Sequence, residues 1–206
     1  MRAAILSLLA LSALGLRSTA DDESGYLLAG DDVSQLTLVA IPADKIAIKD
    51  KEVRLEGKPN GYFATKDSYK NYVLKFDWMY ERPEGLEEGG SFDGNSGVLI
   101  HIAAPHKVWP KCVEAQLANS DAGRLFAING AKFEAKVDKA AQKKAIKPVG
   151  QWNEEEIVCK DGAITCSING VEVSSGTGAS PAEGTIGFQA EGAPIRFRHI
   201  RIKKTD

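Results

Sequence analysis

Residues 184–202, which read GTIGFQAEGAPIRFRHIRI, form the stretch from which the fold can be predicted. In its first half, apolar and polar side chains alternate, as they do in a strand that buries only one face. The apolar positions on one predicted face are Ile186, Phe188 and Ala190, and the polar positions on the other are Gln189 and Glu191. This half therefore predicts a strand with a core side and an outward side.

The second half of the stretch predicts a neighbouring strand. Pro194 interrupts the first strand, after which Ile195 and Phe197 are expected to point inward. The apolar positions then change parity at Ile200, which predicts a β-bulge near Arg198-His199. The two strands together carry an apolar face and, behind it, a face of amide, carboxylate and guanidinium groups.

Length and composition narrow the class of protein. The chain has 206 residues, of which 43% are apolar and 26% are charged, so it is long enough for one domain with a two-layer core. Its formal net charge is only -2, and it contains no basic block. Nucleic acid is therefore not an expected partner.

Residues 1–20 are predicted to be a signal peptide, which leaves 21–206 as the folded domain. Arg2 supplies a positive start, residues 3–16 form an apolar run, and residues 18–20 are small enough for cleavage. The run is too short to cross a bilayer comfortably, so no membrane span is expected. We therefore expect an exported protein that is periplasmic or extracellular.

The clearest strand lies in the middle of the chain. In Tyr72–Tyr80 an aromatic stripe that includes Phe76 and Trp78 alternates with polar residues. Such a stripe is typical of a core face, so we expect Phe76 and Trp78 to pack between two sheets. Lys75 and Asp77 then lie on the opposite face.

Two further strands place polar groups outward. In residues 98–102 the even-numbered side chains are predicted to face the core, which leaves His101 on the outward face with Leu99. In residues 113–117 the odd-numbered side chains are predicted to face the core, and Glu114 and Gln116 face outward. Several strands thus place polar groups on what is predicted to be one surface.

Two of the three cysteines lie in a predicted hairpin. Asp161-Gly162 is a strong two-residue hairpin signal between flanking strands. In that register Cys159 and Cys166 face the core as diagonal neighbours. Diagonal positions are farther apart than a disulfide prefers, so we expect free thiols even though export would favour pairing.

The order and spacing of several short motifs resemble those of the 3-keto-disaccharide hydrolase domain family. The motifs are Gly94-Asn95-Ser96-Gly97-Val98, Glu114-Ala115-Gln116-Leu117, Gly150-x-Trp152-Asn153, Asn169-Gly170 and the signature at 184–203. The resemblance implies a concanavalin-like jelly-roll β-sandwich of two antiparallel sheets, as in secreted bacterial proteins. The chain has His101 and Met79 where the family often has arginines.

The outward polar residues are predicted to bind a carbohydrate. A sugar needs many paired donors and acceptors, because a buried hydroxyl without a partner costs roughly 1–3 kcal/mol. The predicted substrate-binding residues are Lys75, Asp77, Asn95, Gln116, Gln189 and Arg198.

The family resemblance implies cleavage of a 3-keto glycoside or disaccharide. Hydrolysis can proceed by elimination followed by hydration, or directly with two carboxylates. We assign Glu114 and Glu191 as acid and base and His101 as a further proton carrier. Lys75 or Arg198 is predicted to polarise the ketone.

Other interpretations remain open from the sequence. One is a carbohydrate-binding β-sandwich without catalysis, and another is a laminarinase-like glycosidase, although the expected E-x-D-x-x-E motif is missing. The sequence requires no cofactor. Asp93 and Asn95 lie in a loop that leaves a divalent metal such as calcium open, but two oxygen ligands are too few to argue a site. The oligomeric state does not follow from the sequence.

Overall fold

The computed structural model describes residues 25–87 and 89–206, and it contains two antiparallel sheets that pack face to face. The prediction of an all-β jelly-roll sandwich is confirmed. The predicted signal peptide lies outside the described residues. Within them, no helix is both long and apolar enough to cross a membrane.

Fourteen strands, one short α-helix and two 3-10 turns make up the regular structure of the described chain. The strands are β1 (Thr37–Val39), β2 (Ile46–Lys49), β3 (Glu52–Leu55), β4 (Gly61–Ala64), β5 (Tyr72–Tyr80), β6 (Gly97–Ile102), β7 (Cys112–Gln116), β8 (Leu125–Ile128), β9 (Lys132–Val137), β10 (Asn153–Lys160), β11 (Ala163–Ile168), β12 (Val171–Ser180), β13 (Thr185–Ala190) and β14 (Ile195–Lys204). The helix is α1 (Lys139–Ala145).

The strands divide unequally between the sheets. The six-stranded sheet has the order β1-β4-β13-β6-β7-β8, and the eight-stranded sheet has the order β2-β3-β14-β5-β10-β11-β12-β9. The two halves of the 184–202 stretch therefore belong to different sheets: β13 lies in the centre of one and β14 in the other. They pack across the core and do not pair side by side, which corrects the expectation of neighbouring strands.

An aromatic cluster joins the two sheets. The ring of Phe188 in β13 stacks on Phe63 in β4, with centroids 4.9 Å apart. From the other sheet, Phe76 and Phe197 meet Phe188 edge-on at 5.4 and 5.1 Å. Trp78 is also buried in this core. The predicted inward stripe of β5 is confirmed, and its burial contributes to the apolar stabilisation of the sandwich.

The bulge predicted in the second half of the stretch is present. The pairing of β14 with β5 shifts in register between Arg198 and Arg201, and His199 has a φ of 52°. The shift moves Ile200 and Ile202 onto the core side, where both are buried. A single extra residue thus explains the change of parity seen in the sequence.

The predicted cysteine hairpin is also present. Cys159 pairs with Ile164, and Ile157 pairs with Cys166, as the hairpin register requires. Both cysteines are buried as free thiols, and so is Cys112.

The same hairpin carries a buried carboxyl group. Glu155 is fully buried among apolar residues and accepts a hydrogen bond from Trp78 Nε1 at 3.0 Å. The Cys166 thiol contacts its other oxygen at 3.4 Å. Burial raises the pKa of Glu155 to about 8, so this carboxyl group is neutral in the folded protein at neutral pH.

Candidate functional site

Five of the predicted site residues meet on the outer face of the six-stranded sheet. Glu114 and Gln116 alternate with core residues of β7, and Gln189 and Glu191 do so at the end of β13. Asn95 precedes β6 and forms a β-bridge with Glu191. The period-two prediction of outward faces is therefore confirmed for these strands, and it brings two carboxyl groups and three amides together.

Gly97 leaves a depression between two of these side chains. It pairs with Gln116 of β7, and the neighbouring Val98 pairs with Phe188 of β13, so Gly97 lies between the two strands. A Cβ atom at this position would lie 2.3 Å from Gln189 Oε1 and 2.4 Å from Glu114 Oε1. The missing side chain therefore allows the amide of Gln189 and the carboxyl group of Glu114 to converge over the backbone.

Nearby hydrogen bonds hold the surrounding backbone. The Ser96 hydroxyl donates to the carbonyl oxygen of Gln189 at 2.7 Å. Gln116 Oε1 accepts from the backbone N–H groups of Leu117 and Ala118, each at 2.9 Å. The carbonyl end of Gln116 thus fixes the chain after β7, and its NH₂ group is the end left for a ligand.

The two carboxyl groups differ in their environment. Burial, together with the smaller effect of the nearby Glu191 charge, raises the pKa of Glu114 to about 8 against an opposing effect of Arg124. Burial also raises the pKa of Glu191, but a hydrogen bond from Asn95 opposes this by stabilising the carboxylate. Glu114 is therefore protonated at neutral pH, and Glu191, the more exposed of the two, is the group that ionises first.

Several buried polar atoms on this face lack a partner among the described residues. They include both side-chain polar atoms of Gln189, Asn95 Oδ1 and the hydroxyl group of Tyr62. Tyr62 lies directly opposite Gln189 in the register of β4 with β13. Because buried polar groups are nearly always hydrogen-bonded, this cluster is suited to a polar ligand.

Tyr62 was not predicted from the sequence. β4 has only four residues, and all four are buried, so both of its faces look like core and no alternation marks an outward side. Tyr62 packs with Leu99 and Cys112 in a second apolar cluster on the outer face of the sheet. The ring of His106, from the β6–β7 connection, lies over it with centroids 6.2 Å apart.

A cleft of about 400 Å³ opens beside the two carboxyl groups. Its lining comprises Asn95, Glu114, Gln116 and Glu191 together with Trp109, Phe126, Ile128 and Asn129. The last four residues were not predicted from the sequence. Glu114 pairs with Phe126 across β7 and β8, so the far wall of the cleft comes from the edge strand of the sheet.

His101 does not belong to this site, which corrects its assignment as a proton carrier. A bulge in β6 inserts one residue, because Ile102 pairs with Thr185 and Leu99 with Gly187. His101 adopts a φ of 57° at the bulge, and its ring meets the core residue Tyr72 edge-on at 5.6 Å. The bulge reverses the predicted faces, so Ile102 is outward and His101 is inward.

Lys75, Asp77 and Arg198 are also outside the site. They lie on β5 and β14 of the eight-stranded sheet, whose outward face is on the other side of the sandwich. There Asp77 accepts hydrogen bonds from Arg198 Nε at 2.9 Å and from His199 Nδ1 at 3.0 Å. Period-two alternation correctly gave the outward faces of β5 and β14, but it does not say to which sheet a strand belongs.

Lys75 and Arg198 have other partners on that distant face. Lys75 pairs with Glu156 at 2.6 Å, and the Arg198 guanidinium group stacks over the Trp152 ring at 4.0 Å. Neither cation can therefore polarise a ligand bound beside Glu114.

The described residues contain no group of three or more His, Cys, Asp or Glu side chains suited to a metal ion. The residues brought together here are two carboxyl groups, three amides and a phenol. Such a set can bind a polar organic molecule and move a proton between two sides of it.

Comparison with known proteins places the chain among carbohydrate-related sandwiches. A family model described as the 3-keto-alpha-glucoside-1,2-lyase-like domain matches residues 22–203. No curated protein matches the chain.

Solved structures share the fold at low sequence identity. A crystal structure of a candidate glycosyl hydrolase from Parabacteroides distasonis ATCC 8503 superposes with a TM-score of 0.65 at 19% identity, covering 87% of this chain and 93% of that one. The carbohydrate binding module CBM66 from Bacillus subtilis has a TM-score of 0.58 at 10% identity, covering 82% and 96%. Porphyranase B from Zobellia galactanivorans has a TM-score of 0.55 at 9% identity, covering 86% and 88%. At these identities the likeness shows the fold alone.

Proposed function

Because the chain belongs to the family of 3-keto-alpha-glucoside-1,2-lyase-like domains, we propose that its cleft cleaves glycosides whose sugar ring carries a ketone at C3. The ketone makes the proton at C2 acidic, since the resulting negative charge spreads onto the ketone oxygen. Loss of that proton allows the bond between C1 and the glycosidic oxygen to break. The reaction therefore needs a base at C2, an acid at the leaving oxygen and a donor at the ketone.

The two carboxyl groups supply the base and the acid. Glu191, as a carboxylate, takes the proton from C2, and the electron pair of that C–H bond forms the C1–C2 double bond. The C1–O bond breaks, and Glu114 gives its proton to the departing oxygen. The pair ends with the proton on Glu191 instead of Glu114, and exchange with water restores the starting state.

Gln189 and Tyr62 supply the donor at the ketone. Both side chains are buried and lie outside the lining of the cleft, so the substrate must displace a neighbouring group to reach them. The amide NH₂ and the phenol have no partner within the described residues. A donor held ready in a partly dry site stabilises developing negative charge without having to reorient. These two groups take the role for which Lys75 or Arg198 was predicted.

Addition of water to the unsaturated product returns a free 3-keto sugar, so elimination followed by hydration equals hydrolysis. The sequence contains no dinucleotide-binding fingerprint, so a separate oxidoreductase must supply the ketone. The proposed signal peptide at 1–20 would place the protein outside the cytoplasm.

One observation carries the proposal: two carboxyl groups line one cleft, and the pKa of the more buried one is raised to about 8. A raised pKa next to an ionised partner is the arrangement that general acid–base catalysis near neutral pH needs. A surface that only binds sugar does not need a protonated carboxyl group.

The proposal is tested with an α-linked 3-keto disaccharide and its unoxidised parent. We expect release of free sugar from the keto compound only, together with ultraviolet absorbance from the conjugated enone. Release without any transient enone would indicate direct hydrolysis. Binding of both compounds with no cleavage would contradict the proposal and favour a carbohydrate-binding module.

Gly97→Ala should abolish most of this activity without unfolding the protein. The new methyl group would displace Glu114 or Gln189 by about an ångström, and such a displacement can cost about 100-fold in rate. Only the flexible ends of two side chains meet the new atom, so we expect the melting temperature to change little. Steady-state rates and thermal unfolding measure the two effects.

Gly30→Ala is the matched control for that variant. A Cβ at Gly30 meets no atom within 4 Å, so neither rate nor stability should change. Full turnover by Gly97→Ala would show that the depression is not where the substrate reacts.

A further inference from the structure

Trp109 is unusual among the described side chains because it is large, apolar and 44% exposed. It belongs to the connection between β6 and β7 and lines the cleft beside Glu114 and Glu191. A single exposed aromatic side chain is common on protein surfaces, so exposure alone does not mark a site. What singles out Trp109 is its place on the wall of the cleft that holds the two carboxyl groups.

The backbone of Trp109 is held while its ring faces remain open. Asn129 Nδ2 donates to the Trp109 carbonyl oxygen at 2.7 Å, and Asn129 itself has a φ of 49° in the turn after β8. No ring or cation stacks on Trp109 within the described part of the chain. By contrast, the nearby Phe126 ring is already covered by the Arg124 guanidinium group at 4.2 Å.

The order of the strands fixes what lies next to Trp109. Tyr62 and Gln189, the proposed donors to the ketone, lie on β4 and β13, whereas the Trp109 wall adjoins β8 at the opposite edge of the sheet. Glu114 lies on β7, between the strands that carry the proposed donors and the wall that carries Trp109. A substrate with its ketone at Gln189 and its glycosidic oxygen at Glu114 must therefore extend its leaving group toward Trp109.

The span across the sheet is longer than one sugar ring. β13 and β8 are three strand spacings apart, or about 14 Å at the usual separation. The leaving group that fills the remaining length must present an apolar face to the indole. The C–H face of a second pyranose ring, or an aromatic ring, has this property.

We infer that Trp109 is the platform for the leaving group and that the protein prefers glycosides in which this group is a ring. This inference rests on the proposed function of the cleft. It makes Trp109 a residue that determines specificity, while the proton transfers remain with Glu114 and Glu191. Substrates with a small alkyl leaving group would leave the platform empty.

The test compares Trp109→Ala and Trp109→Phe with the wild-type protein on two substrates. These are an α-linked 3-keto disaccharide and 3-keto methyl α-glucoside. We expect Trp109→Ala to lower the ratio of the two kcat/KM values about tenfold, the size of a good stacking contact. Trp109→Phe should keep most of the ratio, because it retains an aromatic face. An equal loss on both substrates, or no loss on either, would overturn the inference.

A binding measurement separates this inference from the proposed function. Calorimetry with the unoxidised disaccharide and unoxidised methyl α-glucoside needs no turnover. We expect the wild-type protein to prefer the disaccharide and Trp109→Ala to lose that preference about tenfold, even if no 3-keto glycoside is cleaved. If the wild-type protein shows no such preference, the inference that Trp109 binds the leaving group is wrong, whether or not the protein cleaves 3-keto glycosides.

Discussion

Glu114→Gln is expected to lower kcat on an α-linked 3-keto disaccharide by about 100-fold to 10,000-fold, the usual contribution of a positioned acid. Glutamine has the shape and neutral charge of the protonated carboxyl group, so KM should change little. Only the proton that Glu114 gives to the leaving oxygen is lost. Glu154→Gln, on the exposed side of β10 in the other sheet, is the matched control and should keep full activity.

The choice of leaving group separates the acid from the base. A nitrophenol departs without help from an acid, so the loss of activity in Glu114→Gln should shrink on a 3-keto nitrophenyl glucoside. Glu191→Gln removes the base at C2, and its loss should remain the same on both substrates. Equal behaviour of the two variants would contradict the separate roles proposed for Glu114 and Glu191.

The pH profile checks the same assignment. With the pKa of Glu114 at about 8, kcat/KM should fall about tenfold per pH unit above that value, as the acid loses its proton. At low pH the rate should fall because Glu191 becomes protonated. Since the groups are coupled, the two apparent pKa values belong to the pair. Glu114→Gln should lose the alkaline fall and keep the acidic one.

The outward and inward faces of most strands could be predicted from the sequence. Alternation in 184–191 and 113–117 placed Gln189, Glu191, Glu114 and Gln116 outward, as the structure shows. The pairing of strands could not be predicted in the same way. Contacts between distant strands depend on the whole sandwich, which is why Lys75 and Arg198 were assigned to the wrong side of the molecule.

Local irregularities explain the other errors. No Gly or Pro marks the bulge at His101 in the sequence. The β6 pattern therefore looked regular and predicted the wrong face. Trp109 lies in a loop, where period-two alternation gives no face at all. Glu155 could have been found, because the alternation that placed Cys159 inward also places Glu155 inward.

Trp78→Ala is expected to cost roughly 3–5 kcal/mol of unfolding free energy, the usual range for removing a buried Trp. The side chain is 1% exposed and meets Tyr80 edge-on at 5.9 Å. Its removal leaves a cavity and takes away the donor to Glu155. Denaturant unfolding measures the change. Trp109→Ala is the comparison, since the indole is 44% exposed and its truncation should cost clearly less than that of Trp78.

The dependence on pH links this loss to Glu155. The pKa of Glu155 is raised on folding from 4.5 to about 8, so its contribution to stability is fully present below its unfolded pKa and is lost as the pH rises through about 8. The hydrogen bond from Trp78 favours the charged form and limits that loss. We therefore expect the difference in unfolding free energy between Trp78→Ala and the wild-type protein to widen from neutral to mildly alkaline pH. In a Glu155→Gln background the widening should disappear, because no carboxyl group is left to ionise.

A Trp78→Ala protein that melted like the wild type but no longer bound sugar would mean that β5 faces the ligand, and the two faces of that strand would have to be exchanged.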